Sequence, residues 1–381
     1  MLGPQPDSTT LISDTKTLNK ITTPAQKTLR EVLRHLILDP DGFTAHDARE
    51  GLRSIMAGEG TEAQQGAFLT ALKLRGVDKY PEMISGLAQE MLDKAIQPEL
   101  FFSTGDHYVS DIVGTGGDGW DTFNISTTAS IVAASAGLKI AKHGSRASSS
   151  NCGSADILLH MGCHLESVVP ENVNDILEKT NFCFIFAKNF HPSMRFLAKA
   201  RFEIGFPTPF NILGPLTNPL FPKYGIIGVH SLYLGPVMAD VLVQLGKRNH
   251  WVVCAECGMD EITIDGPTHI WKIDKDGNIE KQVIRPADFG LQEYPIELAF
   301  SNSLELSAEI LNRFLDGANE TERDKAIRTF VLLNAGALLH VSKKAATLQE
   351  GVEMAREAID SGKSRDILTR FAAETQNLSK H

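Results

Sequence analysis

The sequence has no run of eighteen apolar residues and no signal-peptide pattern, the features expected of a membrane-spanning or secreted chain. Cysteine is scarce, at 5 of 381 residues, and the cysteines follow no regular disulfide framework. Basic charge is in deficit, because 47 acidic residues outnumber 37 basic ones and give a net charge of -10. We therefore expect a cytoplasmic protein without a broad nucleic-acid-binding surface.

Two of the cysteines, Cys254 and Cys257, have the CxxC spacing of zinc and redox sites. No second CxxC and no suitably spaced pair of histidines accompanies them in the sequence. We interpret both as buried thiols without a ligand. With 42% apolar and 22% charged residues, the chain can bury a large core, and its length predicts two domains or lobes.

The order of the patterns predicts a fold of the α/β class, with a small helical domain and a larger α/β domain around a central, mostly parallel sheet. Residues 1–23 are polar and predict a flexible tail. Helical spacing of apolar residues predicts the helical domain over 24–104, and alternating strands and helices predict the α/β domain over 105–381. A further helical pattern at about 190–205 interrupts the strands.

The most informative segment is the glycine-rich run Gly114–Gly119, which follows a β-branched stretch typical of a buried strand. A glycine turn at a strand end presents successive backbone N–H groups to an anion. Next comes Asn124–Thr127, at the start of a pattern of small residues that predicts a helix closed by Gly137. The N-terminus of such a helix also attracts anions, through its unpaired N–H groups and its dipole.

A third segment, Lys142–Asp156, follows a short predicted strand at Leu138–Ala141 and is rich in serine, with cations and glycines between the hydroxyls. A serine-rich stretch standing alone would be more typical of a linker. This one is followed directly by an apolar helical pattern, so it lies inside a domain. Three anion-binding elements so close together indicate an enzyme that binds phosphate.

These segments resemble the anthranilate phosphoribosyltransferase family of tryptophan biosynthesis. The motifs that match, in order, are Gly114–Asp118, Asn124–Thr127, Lys142–Asp156, His191–Met194, Phe210–Pro219 and Asp260–Glu261. The resemblance extends from about residue 25 to the C-terminus. Ser145 stands where bacterial members usually have asparagine, and Cys152 where the family often has serine. Since the first position varies in the fungal-like branch, we place the chain there.

The resemblance implies an enzyme that transfers the phosphoribosyl group of phosphoribosyl pyrophosphate (PRPP) to the amine of anthranilate and releases diphosphate. It implies a Mg²⁺-dependent glycosyltransferase with two bound ions, whose active site lies in the cleft between the lobes. It also implies a homodimer formed through the helical domain, to which the segment at about 190–205 returns. No nucleic-acid or membrane partner is expected.

The resemblance also implies a set of site residues. Those expected to bind PRPP are Gly114, Thr115, Gly116, Gly117, Asp118, Thr122, Asn124, Ser126, Thr127, Lys142, Gly144, Ser149, Ser150 and Ser154. Those expected to bind anthranilate are Gly114, His143, Ser145, Arg201 and Asn211. Those expected to hold Mg²⁺ are Ser126, Asp260 and Glu261. No nucleophile or base is implied, because catalysis would be electrostatic, through Lys142 and the metal ions.

Two other functions stay open. A pyrimidine nucleoside phosphorylase-like enzyme has a related fold and a similar phosphate loop, but it would use inorganic phosphate and should lack the combination of GTGGD with an Asp-Glu pair. A non-catalytic relative that binds nucleic acid would need a basic surface. The excess of acidic residues and the intact Asp260–Glu261 pair argue against this function.

Overall fold

The computed structural model describes residues 27–103, 108–147 and 152–380, so the predicted tail at 1–23 lies outside it. Four helices come first: α1 (Leu29–Leu38), α2 (Ala45–Met56), α3 (Glu62–Leu74) and α4 (Pro81–Asp93). The first three begin after a threonine whose hydroxyl accepts a hydrogen bond from the third helical N–H. These capping boxes fix where each helix begins.

A seven-stranded sheet follows. Its strands are β1 (Ser110–Gly114), β2 (Ile140–Gly144), β3 (Phe182–Phe186), β4 (Tyr224–Gly228), β5 (His250–Ala255), β6 (Thr268–Ile273) and β7 (Ile279–Ile284). Their spatial order is β3-β2-β1-β4-β5-β6-β7. Strands β1 to β5 pair in parallel, and β6 pairs antiparallel with both β5 and β7. From β1 the chain adds strands on one side of the sheet, β2 and then β3, and from β4 it adds strands on the other side. The direction in which strands are added therefore reverses between β1 and β4. Ligands bind parallel sheets at such a switch point, beyond the carboxyl ends of the strands.

The remaining helices are α5 (Ile125–Ser135), α6 (Ser154–His160), α7 (Val173–Thr180), α8 (Ala187–Phe190), α9 (Arg195–Ile204), α10 (Leu234–Gln244), α11 (Leu304–Leu315), α12 (Glu322–Val341), α13 (Leu348–Asp360) and α14 (Lys363–Leu378). The long helix α12 is almost wholly buried and packs against α5 and α13. Within the described residues, no helix is both long and apolar enough to span a membrane.

The apolar side chains form two clusters. One contains α5, α12 and the strand residues that face them. The other joins α1 to α4 with α10 and with residues of the opposite sheet face, such as Ile227 and Val252. The helix α9 contributes Leu197 and Ala200 to this second cluster and packs on α3, so it lies with the first four helices although it comes after three strands.

Two expectations from the sequence are wrong in detail. The strand predicted at Leu138–Ala141 begins later, and Lys142, His143 and Gly144 pair in register with β3 and do not lie in a loop. A buried lysine in a strand runs against the usual preference for apolar side chains, which is why the pattern ended the strand too early. The second error concerns the cysteines, because Cys257 is exposed while Cys254 is buried as predicted.

Candidate active site

The glycine loop leaves the carboxyl end of β1 at the switch point. Gly116, Gly117 and Gly119 have φ angles of 65°, 75° and 80°, in the left-handed region that other residues adopt rarely. A Cβ atom at any of the three would meet nothing within 4 Å, so their requirement for glycine is conformational. The loop therefore turns sharply while its backbone stays open to solvent.

Asp260 fits closely between the ends of β1 and β4. Its carboxylate oxygen Oδ2 accepts a hydrogen bond from the backbone N–H of Gly116, with an N···O distance of 2.7 Å. A Cβ at Gly114 would lie 2.1 Å from that oxygen, and a Cβ at Gly228 would lie 1.7 Å from the Asp260 carbonyl oxygen. The two glycines at the strand ends therefore make room for Asp260.

Polar groups from four separate segments meet beside Asp260. The Asp260 N–H donates to Asp118 at 3.4 Å, and the Ser126 N–H donates to the Glu261 carboxylate at 3.2 Å. The buried Lys142 ammonium donates to a β1 carbonyl at 2.7 Å and to the Ser126 hydroxyl at 3.3 Å. The structure thus brings together five of the residues that the sequence singled out.

A helix beneath the site holds the acidic pair in place. The side chain of Asn334, in the middle of α12, donates to the Ile262 carbonyl at 2.9 Å and accepts from the Ile262 N–H at 3.1 Å. Asn334 is fully buried, so both hydrogen bonds are shielded from water. They fix the residue that directly follows Glu261 to the core.

The electrostatics of this cluster are strongly perturbed. Burial, reinforced by the neighbouring Asp260, raises the pKa of Asp118 to about 7 and that of Glu261 to about 8. Burial also raises the pKa of Asp260 and lowers that of Lys142, while the surrounding carboxylates favour the charged form of Lys142. When they are ionised, three carboxyl groups around one ammonium carry negative charge that the protein itself does not neutralise.

The donor set fits Mg²⁺. The groups that Asp260, Glu261 and Ser126 supply are hard oxygen atoms, which Mg²⁺ prefers, and the local excess of negative charge favours a cation. In the part of the chain that the structure describes, no three histidine, cysteine or carboxylate side chains converge as a closed ligand set. The protein oxygens would thus be shared with oxygens of substrate and water, as is usual for this ion.

A second group of residues lies next to Lys142 along β2. The ring nitrogen Nδ1 of His143 is 3.1 Å from the Gly214 carbonyl oxygen, and the His143 ring lies 5.2 Å from the ring of His191. His191 in turn bonds the Thr217 carbonyl through Nε2 at 2.9 Å. Burial lowers the pKa of His143 to about 3 and that of His191 to about 4, so both rings are neutral at pH 7.

The other residues predicted to bind anthranilate are less closely joined. Arg201, on α9, is half-buried, and burial lowers its pKa. Its side chain has no hydrogen bond or ion pair within the described residues. The amide oxygen of Asn211 accepts from the Thr208 N–H at 3.0 Å, and Ser145 is exposed just after β2. No hydrogen bond or ion pair in the described part of the chain joins Arg201 to Asn211 or Ser145.

Three residues of the predicted PRPP set make contacts that hold the loops together. The Thr115 hydroxyl is 3.1 Å from Nδ1 of His230, which follows β4. The Asn124 amide donates to the Cys152 carbonyl at 3.0 Å, across the start of α5. Thr122 forms an isolated antiparallel bridge with the segment that precedes α11.

The remaining members of that set differ in exposure. Thr127 is buried, and its hydroxyl has no partner in the described residues. Gly144 ends β2, where a Cβ would lie 2.8 Å from an aromatic ring of β3, and Ser154 is the first residue of α6. Two predicted residues, Ser149 and Ser150, lie outside the described residues.

Comparison with known proteins identifies the family. Residues 30–95 match the helical bundle domain of a glycosyl transferase family, and residues 106–365 match the a/b domain of that family. An anthranilate phosphoribosyltransferase of Schizosaccharomyces pombe is 40% identical over 326 residues, which are 85% of this chain and 91% of the relative. The chain belongs to the anthranilate phosphoribosyltransferase family. A bacterial anthranilate phosphoribosyltransferase, from Dehalococcoides mccartyi, is 40% identical over 353 residues, 92% of this chain and 99% of its own.

Solved structures of anthranilate phosphoribosyltransferases share the fold. The enzyme of Saccharomyces cerevisiae in complex with PRPP and Mg has a TM-score of 0.83 at 30% identity, covering 92% of this chain and 98% of the other. The enzyme of Thermus thermophilus has a TM-score of 0.80 at 36% identity, covering 91% and 99%. The predicted fold class, a helical domain with a larger α/β domain, is confirmed.

Some residues of this anthranilate phosphoribosyltransferase family member hold other site residues in position, and they were not predicted from the sequence. Asp111 accepts from the Asn218 amide at 2.9 Å and from the His143 N–H at 3.4 Å. Asn218 also donates to the Ala141 carbonyl at 2.8 Å. These bonds tie the segment around Gly214 to β2. A lone acid within the apolar run of β1 was the signal that could have drawn attention to Asp111.

Proposed function

We propose that the chain catalyses the Mg²⁺-dependent transfer of the phosphoribosyl group of PRPP to the amine of anthranilate, with release of diphosphate, in tryptophan biosynthesis. The observation that carries this proposal is the meeting of the glycine loop, Ser126, Lys142 and Asp260–Glu261 at the switch point of the sheet. The relatives and solved structures named anthranilate phosphoribosyltransferase support the same reaction.

The chemistry asks for charge stabilisation more than for a protein nucleophile. The aromatic amine of anthranilate is neutral at pH 7, and the anomeric carbon of PRPP gains positive character as diphosphate leaves. The protein must therefore stabilise the departing charge and hold the amine in line. The Lys142 ammonium and the N–H groups of the glycine loop would bind the diphosphate. Ser126, Asp260 and Glu261 would hold two Mg²⁺ ions, whose positive charge would neutralise the rest of the diphosphate.

The other predicted PRPP residues are proposed to shape this site. Thr115 and Asn124 would do so through the contacts that join the glycine loop to His230 and α5 to Cys152. We propose PRPP contacts for the remaining members as the sequence predicts them, namely Gly114, Gly116, Gly117, Asp118, Thr122, Thr127, Gly144, Ser149, Ser150 and Ser154.

Anthranilate is proposed to bind between α9 and the segment that carries Asn211. The Arg201 guanidinium lacks an acceptor in the described residues, and its planar fork matches a carboxylate. His143 is neutral, so it would line the aromatic pocket without adding charge. Gly114 and Ser145 complete the proposed set.

Replacing Arg201 with alanine is expected to raise the KM for anthranilate by about 10- to 100-fold, because a charged hydrogen bond to the carboxylate is lost. The KM for PRPP should change by less than about twofold, since no hydrogen bond within the described residues joins this side chain to the glycine loop or to Lys142. Steady-state kinetics with each substrate varied would measure both constants. The exposed Lys199 of the same helix is the matched control, and an unchanged anthranilate KM in Arg201→Ala would remove Arg201 from the pocket.

The raised pKa values of Asp118 and Glu261 predict a proton linkage. Both folded-state values, about 7 and about 8, exceed the ordinary values of 3.8 and 4.5, so these carboxyl groups hold protons near neutrality when no cation is bound. Binding Mg²⁺ with PRPP must displace those protons. We therefore expect the apparent Mg²⁺ affinity to rise with pH from about 6 to about 8 and to level off above that range.

Calorimetric titration in two buffers of different ionisation enthalpy would measure the protons released. At pH 6.5 we expect a net release, and at pH 9 we expect almost none, because the carboxyl groups are then ionised before the ion binds. Equal heats in both buffers at pH 6.5 would contradict the linkage.

A homodimer formed through the helical domain is also proposed. Leu74, at the end of α3, is 84% exposed, and Phe202, on the adjacent helix α9, is 87% exposed. Large apolar side chains exposed on two helices that pack together are typical of a surface that another chain covers. Light scattering should give twice the mass of one chain, and Leu74→Glu should give a monomer. Ile279→Glu, on the edge strand β7, is the control, and an unchanged mass in Leu74→Glu would contradict this interface.

Finer assignments remain proposals. We propose domain boundaries at 24–104 and 105–381, which the family matches at 30–95 and 106–365 support. We propose the fungal-like branch on the strength of Ser145 alone, since a fission-yeast and a bacterial relative are equally similar to the chain, at 40% identity each. A cytoplasmic location and the absence of a nucleic-acid partner are proposed from the composition.

Complementation tests the proposed function in cells. A tryptophan auxotroph that lacks anthranilate phosphoribosyltransferase should grow without tryptophan when it expresses this chain. Expression of the Asp260→Asn variant at the same level should not restore growth. If the chain itself fails to restore growth while it accumulates as folded protein, the proposed reaction is wrong, and phosphorolysis of pyrimidine nucleosides would be tested next.

A further inference from the structure

The glycine loop offers the rest of the protein few side chains by which to hold it. Of the residues Gly114–Gly119, only Thr115 and Asp118 have a side chain. The backbone N–H of Thr115 donates to the Gly228 carbonyl, at the end of β4, with an N···O distance of 3.0 Å. A group that bonds the Thr115 hydroxyl from the same side of the sheet would therefore fix the start of the loop to β4.

The half-buried side chain of His230, just beyond the end of β4, makes this bond. Its ring nitrogen Nδ1 lies 3.1 Å from the Thr115 hydroxyl oxygen, and that hydroxyl donates to the Gly116 carbonyl at 3.2 Å. Because a hydroxyl has one proton, Nδ1 is then the donor in its contact with Thr115. Burial lowers the pKa of His230, although the nearby Asp118 carboxylate opposes this, so the ring is neutral at pH 7 and carries its one proton on Nδ1.

The segment that carries His230 is in turn anchored to the helical domain. The hydroxyl of Tyr233, which directly precedes α10, donates to the Asp78 carboxylate at 2.9 Å. Asp78 is buried just after α3, and its carboxylate lies 3.7 Å from the ammonium of Lys73. Lys73 and Asp78 are both close enough to His230 to influence its charge. A series of contacts therefore runs from the helical domain through Tyr233 and His230 to the glycine loop.

We propose that His230 is a positioning residue for PRPP, which holds the glycine loop in the shape that receives the diphosphate, and that the helical domain supports it through Asp78 and Tyr233. His230 acts through Thr115 and does not itself bond the substrate. The residues predicted to bind PRPP all lie between Gly114 and Ser154, so this link gives the helical domain a part in PRPP binding. The inference rests on the proposed PRPP site.

Steady-state kinetics of His230 variants, with each substrate varied, test the positioning role. His230→Ala should raise the KM for PRPP about tenfold, because one hydrogen bond to the loop is lost, and should change kcat and the KM for anthranilate by less than about twofold. His230→Asn should restore most of the affinity, because its amide nitrogen can donate from the position of Nδ1. His230→Gln should not, because its amide nitrogen corresponds to Nε2. The matched control is His340→Ala, since His340 is also half-buried and its ring packs on Trp251 near the amino end of β5.

Two further comparisons test the contacts through which His230 acts. Thr115→Val removes the hydroxyl, so adding His230→Ala to this variant should cause no further loss. Tyr233→Phe should raise the KM for PRPP about threefold, whereas Tyr80→Phe should not, although the two tyrosines are 47% and 48% exposed. Equal losses in the alanine, asparagine and glutamine variants of His230, or additive losses with Thr115→Val, overturn the proposed bond. An unchanged KM in Tyr233→Phe overturns the support by the helical domain.

Titration calorimetry on the full chain separates this inference from the proposed function. The probes are PRPP and inorganic diphosphate, each with Mg²⁺, and thermal unfolding shows that every variant is folded. The unchanged chain should bind both probes, and His230→Ala should bind both about tenfold more weakly. Equal binding by the unchanged chain and by His230→Ala overturns the positioning role alone. If the unchanged chain does not bind PRPP, the proposed function is wrong and this inference is wrong with it.

Discussion

Replacing Asp260 with asparagine is expected to lower kcat by about 10²- to 10³-fold while the fold stays intact. The amide oxygen of asparagine can still accept the hydrogen bond that the Gly116 N–H now donates at 2.7 Å, so the loop keeps its shape. The substitution removes one negative charge from the cluster of carboxyl groups that we propose binds Mg²⁺. Steady-state kinetics over a range of Mg²⁺ concentrations would show the loss, and thermal unfolding would show the retained fold.

The nearby Asp265 provides the matched control. It is exposed and lies five residues further along the chain, outside the cluster of carboxyl groups. Asp265→Asn removes the same charge from the same region, and we expect it to leave kcat within about twofold. If Asp260→Asn kept the Mg²⁺ dependence and the turnover of the unchanged protein, Asp260 would not be part of the metal site.

Replacing Gly228 with alanine is expected to abolish activity and to lower the free energy of unfolding by about 3 kcal/mol. The new Cβ would lie 1.7 Å from the carbonyl oxygen of Asp260 and 2.5 Å from its carbonyl carbon, and neither backbone atom can rotate away. Either β4 or the Asp260–Glu261 segment must move, and the segment loses its alignment with the glycine loop. Urea unfolding and kcat/KM would measure the two effects.

Substitutions at two further glycines distinguish an effect on the active site from an effect on the stability of the fold. At Gly114 the added Cβ meets the carboxylate of Asp260, a side-chain group that can rotate, so Gly114→Ala should lose activity with a smaller loss of stability. Gly66, on α3, has no neighbour closer than 3.7 Å to its added Cβ, so Gly66→Ala should leave both quantities unchanged or improve stability slightly. Normal activity in Gly228→Ala would show that the close approach is unimportant.

The fold could be predicted because each domain has its own pattern. Apolar residues at helical spacing predict the first helices, and strands that alternate with helices predict a mostly parallel sheet. The placement of α9 beside α3 depends on contacts between distant parts of the chain, and it was expected only from the family resemblance. Such contacts leave little signal in a single local window.

The candidate site could be predicted where the residue type itself suggests the chemistry. The glycine loop, Lys142 and the Asp260–Glu261 pair are examples, and the structure brings them together. Gly228 and Asn334 could not be found this way, because one provides space and the other anchors a backbone segment from the core. Their roles follow from the distances to their neighbours, which only the folded chain provides.

Anthranilate fluorescence tests the proposed reaction most directly. The purified chain is mixed with anthranilate, PRPP and Mg²⁺, and the same mixture is followed without PRPP and with a chelator. The proposed function predicts that fluorescence falls only when both PRPP and Mg²⁺ are present, and that Asp260→Asn slows the fall by about 10²- to 10³-fold. Fluorescence that stays constant in the complete mixture, with protein shown to be folded, would contradict the assignment.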